Sequence, residues 1–76
     1  MAITVIWKDP RWGRIVHSGA RCVDISDSGA RIEYHEALAT MTPIQICATE
    51  TGLVRTGKVR FCTPVSSGYH VGIEFS

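Results

Sequence analysis

The sequence is short of most features that mark a specialised class of protein. Cysteine stands at three, an odd number that cannot pair fully within one chain. Cys22, Cys47 and Cys62 lie far apart without a C-x-x-C spacing, so they read as reduced, partly buried thiols of a cytoplasmic protein rather than a disulfide framework or metal site. An excess of one charge is also missing, since eight Lys and Arg face seven Asp and Glu for a net +1. That balance counts against a binder of nucleic-acid polymers, which carries a basic stripe. No apolar run approaches the ~18 residues of a membrane span. Met1 to Trp7 is too short, and lacks the basic leader, for a signal peptide. Nucleophile elbows, P-loops, H-E-x-x-H and G-x-G-x-x-G strings do not occur, and the enzyme reading goes with them. Asp24 and Asp27 do not restore it, because nothing on an exposed turn tunes a carboxylate for acid–base work. His17, His35 and His70 sit in separate segments without ligand spacing and read as solvent-facing. No cofactor is expected.

What the chain does have is period-two alternation. Its 76 residues allow one domain, 1–76, with a thin core that suits a binding module better than an enclosed active site. Tyr69, Val71, Ile73 and Phe75 face one way, and His70, Gly72 and Glu74 the other. Ile3, Val5 and Trp7 alternate with Thr4 and Ile6 and stop at Asp9-Pro10. From Ile15 to Ile25 the chain is β-favourable, with Val23 and Ile25 on one face and Cys22 and Asp24 on the other. Ala30, Ile32 and Tyr34 alternate with Arg31 and Glu33, and Ile44, Ile46 and Ala48 with Gln45 and Cys47. Val59 and Phe61 share a face opposite Lys58, Arg60 and Cys62. Turn signals fall between these runs, at Asp9-Pro10, Ser18-Gly19, Ser26 to Gly29, Thr51-Gly52 and Ser66 to Gly68. Only His35 to Ala39 offers a helical turn before Pro43. About six short strands at this spacing predict an all-β fold, and closure removes unpaired edges. The expected architecture is a small six-stranded antiparallel closed barrel with no terminal helix.

The segment from Asp24 to Glu33 carries the most information. Two strands meet at a tight turn, Ile25 packs inward, and Asp24 and Ser26 stand side by side on the outer face. Gly29 supplies a position open to positive φ and to close backbone approach. A carboxylate beside a hydroxyl suits the edge of a nucleobase, since it accepts together from the ring N–H and exocyclic amine of guanine. The same residues also suit an ordinary hairpin turn, with side chains bonded to their own backbone.

Asp24-x-Ser26-x-x-Gly29, preceded by Val23 and followed by a strand, resembles the D/N-x-S-x-x-G motif of PilZ domains. The order of elements around it is similar too: a strand from Pro43 to Thr49, another from Gly57 to Cys62, and a closing Gly72 to Phe75. The likeness covers nearly the whole chain. It implies a six-stranded barrel that binds cyclic di-GMP, a bacterial second messenger, with the Asp and Ser contacting one guanine. It further implies an R-x-x-x-R motif ahead of the first strand, which clamps the phosphates and stacks on the other guanine. Arginine suits that role through its planar, paired donors. Reordering of that arm on binding would pass the signal to a protein partner.

No R-x-x-x-R stands ahead of Ile3. Arg11-x-x-Arg14 has one intervening residue too few and falls in the first hairpin, where it reads either as a partial clamp or as a solvated turn. Losing two charge-assisted contacts of roughly 1.5–3 kcal/mol each weakens affinity by two to four orders of magnitude. The expectation is therefore a bacterial signalling module whose binding of cyclic di-GMP is weak or lost, or, from another class, a ligand-independent adaptor for a protein partner. The expected ligand contacts are Asp24, Ser26, Gly29, Arg31, Arg11 and Arg14, with Arg60 adding charge nearby. Trp7 is expected in the core. Trp12, between the two arginines, is either a staple across the hairpin base or an exposed surface for a base or a partner.

Overall fold

The computed structural model describes all 76 residues. Six strands follow one another: β1 (Ala2–Asp9), β2 (Arg14–Ile25), β3 (Gly29–Tyr34), β4 (Pro43–Ala48), β5 (Leu53–Val65) and β6 (Gly68–Phe75). They pair antiparallel in the order β1-β2-β3-β6-β5-β4, and β1 against β4 closes the barrel. No helix is present. His35–Ala39, expected as a helical turn, is irregular chain whose Leu38 drops into the core. The Ser18-Gly19 pair does not turn either. It lies within β2, opposite Val5 and Thr4, because β1 offers partners along the whole hairpin.

The core follows the alternation. Ile3, Val5 and Trp7 of β1 meet Ile32 and Tyr34 of β3, Ile44 and Ile46 of β4, and Val71 and Ile73 of β6. The Trp7 indole Nε1–H donates to Tyr34 Oη at 2.9 Å, with the rings edge-on at 6.5 Å. That bond satisfies the polar ends of two aromatics the core would otherwise strand. Trp12 is not a staple and stands 74% exposed.

On two strands the expected faces are wrong, and a β-bulge is the cause each time. The β2–β3 register steps between Cys22, opposite Ile32, and Asp24, opposite Arg31. Val23 is the extra residue, so Cys22 turns into the core while Asp24 stays outside. Ile25, expected to pack inward, is left 41% exposed at the barrel rim. The β5–β6 register steps in the same way between Val59, opposite Ile73, and Phe61, opposite Gly72. Val59 and Cys62 therefore face inward and Phe61 outward.

Asp9 ends β1 as a buried carboxylate. It accepts from Arg11 N at 3.0 Å and Nε at 3.1 Å through Oδ1, and from Nη2 at 2.9 Å through Oδ2. The Arg11 guanidinium, aided by the Arg11 backbone N–H and opposed by burial, holds Asp9 below the usual carboxylate range, and Arg21 does the same for Glu33. Both groups bind protons more weakly folded than unfolded. Their stabilising contribution is whole above the unfolded values of about 4 and is lost as pH falls through the lower folded values. The melting temperature is expected to drop below pH 4, and to drop less steeply in Asp9→Asn. Equal acid sensitivity of the two proteins in a thermal scan would remove Asp9 from that account.

Candidate functional site

Cross-strand pairing assembles the site in one transverse row. Asp24 of β2 lies opposite Arg31 of β3, Arg31 opposite Gly72 of β6, and Gly72 opposite Phe61 of β5. Both bulges are needed for this row, since each restores an outward direction that strict alternation would deny. The row floors an open cleft of about 450 Å³, which Ser26, Gly29, Arg60 and Glu74 also line.

Asp24 and Arg31 are joined as an ion pair, Nη2 to Oδ2 at 2.8 Å, with side chains 61% and 47% exposed. Such a pair contributes about 0–1 kcal/mol to stability, so a ligand can displace or share it at small cost. On the far wall Arg60 Nη1 donates to Glu74 Oε2 at 3.0 Å, and Lys58 Nζ stands 3.8 Å from Oε1. The cleft thus holds two arginine–carboxylate pairs, Asp24–Arg31 and Arg60–Glu74.

The β2–β3 turn is closed by the Ser26 N–H donating to the Gly29 carbonyl at 2.8 Å. The Ser26 hydroxyl accepts from the Ser28 N–H at 3.3 Å and reaches the Gly29 carbonyl at 3.4 Å. These are long, weak bonds, so the hydroxyl is folded toward its own turn yet remains exposed. Two contacts pin the turn from outside: the Phe75 N–H donates to the Ser28 carbonyl at 2.9 Å, and Arg55 Nη2 to the Asp27 carbonyl at 2.8 Å. Arg55 also lies 4.2 Å above the Phe75 ring centroid.

Gly29 has no positive φ; left-handed backbone occurs instead at Gly13, Gly52, Gly68 and Met41. Its role is close approach, because a Cβ there would run into the Ile73 carbonyl. Asp24, Ser26, Gly29 and Arg31 are brought together, but Arg11 and Arg14 are not. Arg14 opens β2 at the end away from Asp24, Arg11 lies in the hairpin turn before it, and neither lines the cleft. Sequence reasoning missed Phe61 and Glu74, which line the cleft, and Arg55, which braces its turn from outside. No sequence signal pointed to Phe61, because the bulge that sets it opposite Gly72 leaves no mark on the alternation.

Cys22 is buried, and burial pushes its thiol above the usual range. No three His, Cys, Asp or Glu side chains converge, and no helix is long and apolar enough to cross a membrane. No curated protein and no solved structure is matched by the chain. Residues 13–76 match the family model described as the PilZ domain, a family of binding modules tied to cyclic di-GMP signalling. Most of the barrel and all of the cleft lie within that match, and the chain belongs to the PilZ domain family.

Proposed function

We propose that the chain is a cyclic di-GMP receptor module that holds one guanine of the messenger at the Asp24–Arg31 end of the cleft. The observation that carries the reading is the convergence of Asp24, Ser26, Gly29 and Arg31 on one open face. A guanine offers N1–H and the exocyclic amine as adjacent donors, with O6 beside them as acceptor. Asp24 supplies the acceptors, Arg31 the donor for O6, and Ser26 a further hydroxyl, so the pair matches the base edge in kind and order. Arg11 and Arg14 lie too far off to hold its phosphates, and binding by this chain alone is weak. The reading carries with it a bacterial cytoplasmic setting and a downstream protein partner.

Titration with cyclic di-GMP into the millimolar range, followed by amide shifts, tests this. Saturating shifts at Asp24 to Arg31 are expected, and Asp24→Ala weakens binding by about 10- to 150-fold, the range for a hydrogen bond to a charged group. A silent titration overturns the reading. It would leave a ligand-independent adaptor, favoured by Trp12, Ile15 and Met41, which stand exposed at the other end of the barrel beside Lys8 and Arg14.

A further inference from the structure

The most exposed large apolar side chains of the barrel are Trp12 at 74%, Met41 at 64% and Ile15 at 58%, and all three lie at the end of β2 away from Asp24. They gather around Lys8 of β1, which stands opposite Ile15, and Pro43 of β4. Those two residues line both of two adjoining hollows, one of about 370 Å³ bordered by Ile15 and one of about 600 Å³ bordered by Met41. Pro10 and Gly13, from the turn that carries Trp12, border the second. Charge at this end is one-sided. Asp9 and Glu36 both act on Arg11, which leaves Lys8 and Arg14 exposed and outside every ion pair of the chain. Met41 adds a backbone oddity, a φ of 73° in the left-handed region that favours glycine. Its N–H donates to the Val59 carbonyl at 2.8 Å and the Val59 N–H to the Thr42 carbonyl at 2.9 Å, so the barrel holds the strained residue in place. A glycine would make the same bonds without the strain. Folding therefore gives no reason for a long apolar side chain here, held out in water.

We propose that this surface docks a short acidic segment of a partner protein, with its apolar side chains seated between Ile15 and Met41 beside Trp12 and its carboxylates against Lys8 and Arg14. Tryptophan and arginine are enriched among the residues that dominate binding at protein interfaces, and an exposed apolar cluster rimmed by charge marks such a surface. The sign of the partner follows from the cations. Lys8 and Arg14 give up no internal carboxylate when a partner supplies one, so complementarity selects an acidic segment. The hollows favour a peptide over a lipid surface, because a bilayer receives projecting side chains and has none of its own to fill a concavity. The surface shares no residue with the Asp24 cleft, and the proposal does not depend on the receptor reading.

The test is selection of a displayed library of short random peptides on the full chain, followed by titration of the enriched peptides into the wild type and its variants, with a melting curve for each. Peptides that combine Asp and Glu with aromatic or aliphatic residues are expected, binding more weakly as salt rises and shifting the amides of Trp12, Ile15 and Met41. Trp12→Ala is expected to weaken them by about 30-fold or more, the range for an interface anchor, and Arg14→Glu to abolish binding. Met41→Gly is expected to bind at least about fivefold more weakly while its melting temperature does not fall, since relief of backbone strain acts on folding and loss of the side chain acts on docking. Asp24→Ala should bind the peptides as the wild type does. Failure to enrich any peptide, enrichment of basic ones, or peptides that bind Arg14→Glu as well as the wild type overturns the proposal. Two other results overturn it by naming a different occupant: co-sedimentation with phosphatidylserine vesicles that Trp12→Ala abolishes, and concentration-dependent dimerisation lost in the same variant.

Discussion

Replacing Gly57 with alanine is expected to lower the melting temperature by about 10–20 °C, corresponding to a loss of about 2–3 kcal/mol in a domain of this size. The added methyl group would run into the Glu74 carbonyl and lie 3.0 Å from Phe75 Cα. Those atoms are backbone of β6, which is bonded on both sides by β3 and β5 and has no side chain to swing aside. A smaller effect runs the other way: alanine restricts the unfolded chain and stabilises by about 0.4–1 kcal/mol. The clash wins. Gly29 holds the matching position on the other flank, with the Ile73 carbonyl in the way. Gly19 is the control, because nothing lies within 4 Å of a Cβ there, and Gly19→Ala should be neutral or slightly stabilising. Calorimetric melting decides, and a loss under about 4 °C for Gly57→Ala would show that β6 yields.

Truncating Ile32 to alanine is expected to cost about 2–5 kcal/mol. Ile32 is fully buried between Cys22 and Val71, its cross-strand partners, so the cavity has no route to collapse without breaking a ladder. At about 0.05–0.15 kcal/mol per residue, 76 residues have about 4–11 kcal/mol in total. The variant should therefore unfold at markedly lower denaturant and approach instability at 37 °C. Ile15→Ala, at an exposed position of the same chain, should change stability by no more than about 0.5 kcal/mol. A urea midpoint for Ile32→Ala within that same margin would contradict the packing described for the core.

Where one strand face is buried and pairing is regular, the alternation was legible. β1, β3 and β4 bury the residues that the sequence placed inward, and closure followed from six strands with no helix to cover an edge. It failed at Cys22 and Phe61, because a bulge changes the parity of every residue beyond it while leaving composition untouched. Leu38 was missed for a different reason: a single apolar residue in irregular chain has no period to betray its burial. At the site, Asp24, Ser26, Gly29 and Arg31 were readable because they lie close together in the chain. Phe61, Arg55 and Glu74 were not, since only the strand order β3-β6-β5 brings them beside that turn. Gly29 was singled out for two reasons, and only the steric one holds.

The outer row of the cleft has an inner counterpart one pairing along, in which Cys22, Ile32, Val71 and Cys62 stand opposite one another across the same four strands. The floor of the cleft is thus backed by the hydrophobic interior at a distance of one peptide unit. Such a footing works like an anvil: a strand could shift under a load on the outer face only by unpacking the close-packed row behind it.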